Sequence, residues 1–161
     1  MLFHISIDAA DPQHVAEVIA ELWGGEALPF PAVYPGSWVA LAGDDRGTMI
    51  EVYPAGVTIA LSEGDADAVG VRESHVRRAT STHAAVATML SADEVFAIAE
   101  REGWIAKYRK RGGSFGVIEF WVENNMMIEV LTAEMQAEYL ESISIENWRA
   151  MLALAPEVQA A

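Results

Sequence analysis

The sequence has no cysteine and few basic side chains. Its 161 residues include 0 Cys, and 10 Lys or Arg stand against 24 Asp or Glu, which gives a formal net charge of −14. Without cysteine there is no disulfide framework, zinc ribbon or thiol chemistry, and we expect a cytoplasmic protein. The shortage of basic residues argues against nucleic-acid and membrane partners, because both require a positively charged protein surface.

Long apolar runs and a basic leader segment are also absent. No run approaches the roughly 20 apolar residues that span a bilayer, and the first four residues include no Lys or Arg, so we expect no secretion signal. With 52% hydrophobic and 21% charged residues, the chain can bury a core. Its length suits one compact domain or two small modules.

An internal repeat organises the chain. The tetrapeptide Met-Ile-Glu-Val at 49–52 recurs at 127–130, and Ile-Ala-Glu at 19–21 recurs at 98–100. Gly24 with Gly103 and His4 with His83 match at nearly the same offset. Because these matches keep one order, they indicate two copies of one module. The predicted division is a first module at 1–55, a linker at 56–80, a second module at 81–132 and a helical tail at 133–161.

Each copy predicts a strand, a helix and three further strands. The first strands are predicted at 2–8 and 83–89. Asp11 before Pro12 begins the first helix, and Ser91 with Glu94 forms a capping box at the second. The later β-like runs lie at 28–34, 37–41 and 48–53 in one copy and at 104–110, 115–122 and 126–131 in the other. Helical patterns follow at 133–141 and 144–154, so the sequence predicts an α+β fold of two βαβββ modules with C-terminal helices.

Two histidines and two glutamates occupy matching positions in the two copies. His4 and Glu51 lie on the first and last strands of one copy, and His83 and Glu129 on those of the other. A carboxylate among apolar strand residues is costly to bury unless it is paired or binds a metal. Two imidazoles and two carboxylates suit a first-row transition metal with positions left for water or substrate. The alternative is that the histidines cap strand ends and the glutamates face solvent.

Other polar residues have simpler interpretations. His14 and His75 are expected to be solvated, and 109–111 is expected to form a charged hairpin tip in preference to contacting an anionic substrate. Glu119, on the strand beside Glu129, is the additional carboxylate that could face the same site.

Paired βαβββ modules with His on the first strand and Glu on the last resemble the vicinal oxygen chelate superfamily, which includes glyoxalase I, extradiol dioxygenases, and bleomycin- and fosfomycin-resistance proteins. The resemblance covers about 1–132 and rests on the segments FHISI, GTMIEVYP, THAAVAT and NMMIEVLT. It implies eight strands curved into a cup around a divalent ion (Ni, Zn, Co, Mn or Fe), closed within one chain or across a dimer by module exchange. The set His4, Glu51, His83 and Glu129 looks most like the ligands of glyoxalase I, with Glu129 as the catalytic residue that moves the substrate proton.

Two functions follow from this resemblance. The first is a metal-dependent, glyoxalase-like isomerase or lyase acting on a small oxygenated substrate, with ring-cleaving dioxygenase chemistry less favoured. The alternative is a metal-free small-molecule-binding protein of the bleomycin-resistance type, which the acidic charge suits if the ligand is a cation. The complete set of four ligands favours the enzyme. We also expect a homodimer, because a lone cup leaves sheet edges open.

Overall fold

The computed structural model describes residues 4–30, 33–60, 62–63, 67–73 and 83–154, the last four of these by their backbone alone. The helices in these ranges are α1 (Pro12–Trp23), α2 (Ala92–Glu102), α3 (Ala133–Ser142) and α4 (Ile145–Leu154). The strands are β1 (His4–Ala9), β2 (Glu26–Pro29), β3 (Trp38–Leu41), β4 (Met49–Pro54), β5 (Val57–Ala60), β6 (Val69–Arg72), β7 (Ala84–Ala87), β8 (Ile105–Arg111), β9 (Phe115–Val122) and β10 (Met126–Leu131).

Two four-stranded sheets have the same topology. Their strand orders are β1-β4-β3-β2 and β7-β10-β9-β8, and in each sheet the first strand of the module runs parallel to the last. The remaining pairs are antiparallel. The predicted α+β fold of two βαβββ modules followed by C-terminal helices is confirmed. Whether the four predicted segments are separate domains stays a prediction.

The helix boundaries follow from local capping chemistry. The Asp11 side chain caps α1, and Ser91 and Glu94 form the predicted capping box at α2. The hydrogen bonds from Ser91 hold the pKa of Glu94 below its ordinary value. Gly24 and Gly103 end the two helices with φ of 65° and 67°, a backbone conformation that favours glycine.

One continuous apolar core joins the modules. On β4 and β10 alternate residues point into it: Ile50 and Val52 in one sheet, Ile128 and Val130 in the other, each at most 2% exposed. Helices α1 and α2 contribute their buried faces to the same cluster, which includes Val15, Ile19, Leu22, Val95 and Ile98. Burial of each such side chain contributes about 1.5–3 kcal/mol, so packing holds the two sheets in place.

Polar contacts also connect the modules. The buried Thr88 hydroxyl, at the end of β7, donates a hydrogen bond to the Leu22 carbonyl at the end of α1. The Glu123 carboxylate accepts hydrogen bonds of 2.7 and 2.8 Å from two backbone amides just before α1. Arg101 on α2 pairs with Glu21 on α1 at 2.6 Å.

The linker contains a hairpin that the sequence analysis missed. β5 and β6 pair antiparallel, whereas the sequence analysis treated 56–80 only as a linker. In β6, Gly70 separates Val69 from Val71 and weakens the strand pattern in the sequence. A Cβ atom at position 70 would lie 2.9 Å from the Tyr34 ring, so the close packing there favours glycine. β2 begins two residues before the predicted run at 28–34 and ends at Pro29, and part of that run lies outside the described residues. No helix within the described ranges is long and apolar enough to cross a membrane.

Candidate functional site

Glu51 and Glu129 lie on the face of each sheet opposite the core residues Ile50 and Val52 of β4 and Ile128 and Val130 of β10, and both are partly exposed. Ser6 lies directly opposite Glu51 in the pairing of β1 with β4, and His4 is two residues earlier. In the second sheet Ala85 lies opposite Glu129, and His83 is two residues earlier. The His and Glu of each module are therefore offset by two residues, about 6–7 Å along the strand, in the same direction.

Glu51 is held by two hydroxyl groups. The Ser6 Oγ donates to Glu51 Oε2 at 2.8 Å, and the Tyr53 hydroxyl donates to the same oxygen at 2.9 Å. Burial, together with the adjacent Glu51 carboxylate, raises the pKa of Tyr53 to about 12. Within the described chain Glu51 Oε1 accepts no hydrogen bond, so one oxygen fixes the side chain and the other remains open.

Glu129 has a corresponding arrangement with a guanidinium in place of the hydroxyls. Arg111 donates to Glu129 Oε1 through Nη2 at 2.5 Å and through Nε at 3.0 Å. The same Nη2 lies 2.9 Å from Glu119, which stands opposite Glu129 in the pairing of β9 with β10. These bonds raise the pKa of Arg111 above its ordinary value. Glu129 Oε2 has no hydrogen-bond partner among the described residues.

The four predicted ligands do not meet around one point in a single chain. They all belong to the described part of the molecule, and in that part no three His, Asp or Glu side chains are close enough to hold one metal ion. One His/Glu pair belongs to the first sheet and the other to the second. Their joint binding of a metal stays a prediction.

A cavity of about 830 Å³ opens beside Glu129. Helices α3 and α4 form one side of it, and the end of the β8–β9 hairpin forms the other. The ring of Tyr139 on α3 packs against Phe115 with centroids 5.0 Å apart, which fixes α3 over this end of the sheet. The cavity lining comprises Arg111, Gly112, Ser114, Phe115, Glu129, Glu138, Glu141, Ser142, Ile143, Asn147 and Trp148.

The structure gives two polar residues contacts that the sequence analysis did not predict. Arg111 lies at the expected charged hairpin tip, and its guanidinium also contacts the carboxylates Glu119 and Glu129; it shares a face of β8 with Lys107, the residue opposite Glu119 in the strand register. His14 is not simply solvated, because its Nε2 lies 2.6 Å from Glu102 and its ring meets Trp104 edge-on. The expectation for His75 lies outside the described residues.

Solved structures with the same fold are known. No protein-family model matches the sequence, and no curated protein matches it. The fosfomycin resistance protein FosX from Listeria monocytogenes aligns with a TM-score of 0.56 and 18% identity over 89% of this chain and 98% of that chain. Lactoylglutathione lyase from Agrobacterium tumefaciens aligns with a TM-score of 0.52 and 12% identity over 83% and 94%.

A further structure of the Listeria FosX contains Mn(II) and a sulfate ion; it aligns with a TM-score of 0.56 and 15% identity over 89% of this chain and 98% of that chain. At such identities the likeness establishes the fold. The chain has the fold of vicinal oxygen chelate proteins, which confirms the resemblance inferred from the repeat.

Proposed function

We propose that this protein is a metal-dependent, glyoxalase-like enzyme, an isomerase or lyase that acts on a small oxygenated substrate. The observation that supports the proposal is that the two glutamates have the same hydrogen-bonding arrangement. In both Glu51 and Glu129 one carboxylate oxygen is fixed by hydrogen bonds, and the other has no hydrogen-bond partner among the described residues. Each glutamate is accompanied by a histidine at the same strand offset.

The chemical types of the predicted donor groups fit a divalent ion. His4, Glu51, His83 and Glu129 would hold it, and imidazole with carboxylate is a ligand combination suited to Ni, Zn, Co, Mn or Fe. When bound, the ion supplies Lewis-acid polarisation of a substrate oxygen. Manganese in the FosX structure of the same fold supports this choice of cofactor.

The residues of this chain have separate roles in orienting the ligands and in moving the substrate proton. Ser6 and Tyr53 orient Glu51 through Oε2 and direct its other oxygen toward the ligand position. Glu129 is the group that accepts and returns the substrate proton at Oε2, because a carboxylate beside the reacting atoms acts as a general base. Arg111 holds Glu129 Oε1 and fixes the direction of that oxygen.

A homodimer completes this site. Since the two His/Glu pairs belong to separate sheets of one chain, a second copy must bring the first sheet of one protomer to the second sheet of the other. Each dimer would then contain two equivalent sites, as the isologous symmetry of a two-fold dimer requires.

The second candidate is a metal-free small-molecule-binding protein of the bleomycin-resistance type. The contact between Arg111 and Glu129 favours it, because the guanidinium already supplies a positive charge to the carboxylate that the metal would use. The two functions differ in whether metal binds at all.

Metal binding by the untagged protein tests the proposal. After treatment with a chelator, the protein is titrated with Mn(II), Ni(II) or Zn(II), and bound metal is measured by elemental analysis. We expect about one ion per chain and a higher melting temperature with metal, because a ligand of the native state stabilises it by mass action. Glu129→Gln and Glu51→Gln should weaken binding by at least about tenfold, or 1.4 kcal/mol.

Glu146→Gln is the matched control, since Glu146 is exposed and lies outside both glutamate clusters. It should bind metal like the parent protein. If none of the ions binds to the parent protein, the enzyme proposal fails and the metal-free binding function takes its place.

A further inference from the structure

Basic side chains are concentrated on strand β8. The whole chain has 10 Lys or Arg residues, and four of them lie within the seven residues of this strand. Lys107, Arg109 and Arg111 occupy alternate positions, so their side chains share one face of the sheet. The same face carries two carboxylates, because Lys107 lies opposite Glu119 in the strand register, and Glu119 lies opposite Glu129.

The basic groups on this face outnumber its carboxylates. Arg111 pairs with both Glu119 and Glu129, and Arg109 lies 3.8 Å from Glu119, so two guanidinium groups balance two carboxylates. Lys107 is exposed and forms no ion pair or hydrogen bond among the described residues, and its ammonium group leaves the cluster with an excess positive charge. We call Lys107 and Arg109 the positive patch. Because charges are screened within about 8 Å at physiological salt, a small anion responds to this patch more than to the acidic remainder of the protein.

An apolar row lies beside the positive patch on the same face. Ile105 precedes Lys107 by two residues on β8. Trp121 on β9 lies opposite Ile105, and Met127 on β10 lies opposite Trp121. Ile105 is 46% exposed, and the other two side chains of the row are partly exposed. Since residues two apart on a strand are about 6–7 Å apart, one small molecule can contact the apolar row and the positive patch together.

We infer that this face of the second sheet binds an organic carboxylate with an apolar body. Lys107 and Arg109 hold the carboxylate through charge-assisted hydrogen bonds, and the body lies against the apolar row. The Glu129 carboxylate repels the acidic group of the ligand, which is therefore directed toward β8 and away from Glu129. The inference rests on the proposed function only in that it gives the substrate of that function an acidic group. The binding itself requires no metal.

Three phenyl compounds of similar size and different charge test the ligand class. At neutral pH 3-phenylpropionate is an anion, 3-phenylpropanol is neutral, and 3-phenylpropylamine is a cation. Their affinities for the chelator-treated full-length protein are measured by isothermal titration calorimetry at low salt and again at high salt. We expect the anion to bind about tenfold more tightly than the neutral compound, because two exposed ion pairs contribute about threefold each, and the cation to bind most weakly. The difference should shrink as salt is added.

Variants locate the binding on this face of the sheet. Lys107→Met and Arg109→Met should each weaken the binding of 3-phenylpropionate about threefold and leave that of 3-phenylpropanol unchanged. Ile105→Ser should weaken the binding of both compounds. Arg46→Met is the matched control, because it removes a positive charge from an exposed turn between β3 and β4 and should change neither affinity. The circular dichroism spectrum of each variant checks that the fold is retained.

Equal affinity for 3-phenylpropionate and 3-phenylpropanol, or tighter binding of the cation, would overturn the inference. Equal effects of Lys107→Met and Arg46→Met would also overturn it, as would unchanged affinities in Ile105→Ser or the absence of binding by all three compounds. Because the measurements use metal-free protein, a failure of the metal proposal leaves these results interpretable, and a failure of the carboxylate inference leaves the metal titration unaffected.

Discussion

The Arg111 guanidinium pairs with two carboxylates, Glu119 on β9 and Glu129 on β10, which lie opposite each other in the sheet. Glu119 and Glu129 are only 15% and 12% exposed, so their mutual repulsion is poorly screened by solvent. Like charges directly opposite one another destabilise a sheet, and the guanidinium removes that cost. Arg111 orients Glu129 through Oε1, and a metal ion at Oε2 would add a second positive charge beside this guanidinium, so the two cations would repel each other.

We therefore predict opposite effects of Arg111→Met on stability and on metal affinity. The metal-free variant should lose about 1–2 kcal/mol of unfolding free energy, less than for a fully buried pair because Arg111 is 37% exposed. Its metal affinity should rise by about tenfold, or 1.4 kcal/mol. Chemical denaturation and metal titration measure the two quantities.

Arg109→Met is the matched control for this prediction. Arg109 is on the same strand, but its Nε lies 3.8 Å from Glu119, and within the described part of the chain it forms no ion pair or hydrogen bond with Glu129, so we expect smaller changes in both quantities. Weaker metal binding by Arg111→Met than by the parent protein would contradict this prediction and would mean that the orientation of Glu129 by Arg111 affects metal affinity more than the charge of Arg111 does.

At the scale of elements, the contact between the end of β7 and the end of α1 joins the two modules. The Thr88 hydroxyl donates to the Leu22 carbonyl and accepts from the Leu90 amide at 3.1 Å, and Thr88 is only 3% exposed. Thr88→Val keeps the side-chain shape but leaves both backbone groups without this partner. An unsatisfied buried polar group costs about 1–3 kcal/mol, and we predict a loss of unfolding free energy of that size.

Thr58→Val provides the comparison for Thr88→Val. Thr58 lies on β5 and its hydroxyl is exposed, with a weak 3.3 Å hydrogen bond to Glu73. Surface substitutions of this kind change stability by less than about 0.5 kcal/mol. Equal stability of the two variants in urea denaturation would show that the Thr88 hydroxyl does not hold the modules together.

Features that depend on neighbouring residues could be predicted from the sequence, and features that depend on tertiary packing could not. The first two helices and their caps were predictable, because Asp11, Ser91, Gly24 and Gly103 act within a few residues of sequence, and the repeat predicted the βαβββ succession of each module. The cavity was not predictable, since it depends on where α3 and α4 pack against the sheet. The contact between Arg111 and Glu119 was also not predictable, because the pairing of β8 with β9 had to be known before these two residues could be placed on one face.

At the scale of the whole molecule, duplication gives each module half of the predicted metal site. The repeat identified His4 with Glu51 and His83 with Glu129 from sequence, and the register of the two sheets places each pair with the same offset. A shared apolar core fixes the two sheets of one chain relative to each other. Among the described residues of one chain no three His, Asp or Glu side chains are close enough to hold one ion, so whether the two pairs form one site is a question of assembly.

A mixing experiment decides that question. One variant carries His4→Ala with Glu51→Ala, and the other carries His83→Ala with Glu129→Ala. In a dimer with module exchange, a mixed dimer has one site with four substitutions and one site with none, whereas each variant alone has only half-sites. We predict that neither variant binds metal alone, and that tagged mixed dimers isolated after co-expression bind about one ion per dimer, half of the parent protein's content.

The same mixture distinguishes a site shared between two chains from a site within one chain. If each site lay within one chain, every site in the mixed dimer would lack two ligands and no metal would bind. Light scattering of the parent protein supplies the independent check on assembly. A mass that stays near 17.5 kDa across micromolar concentrations would reject the dimer, and a mixed species that binds no metal while the parent binds it would reject the exchange of modules.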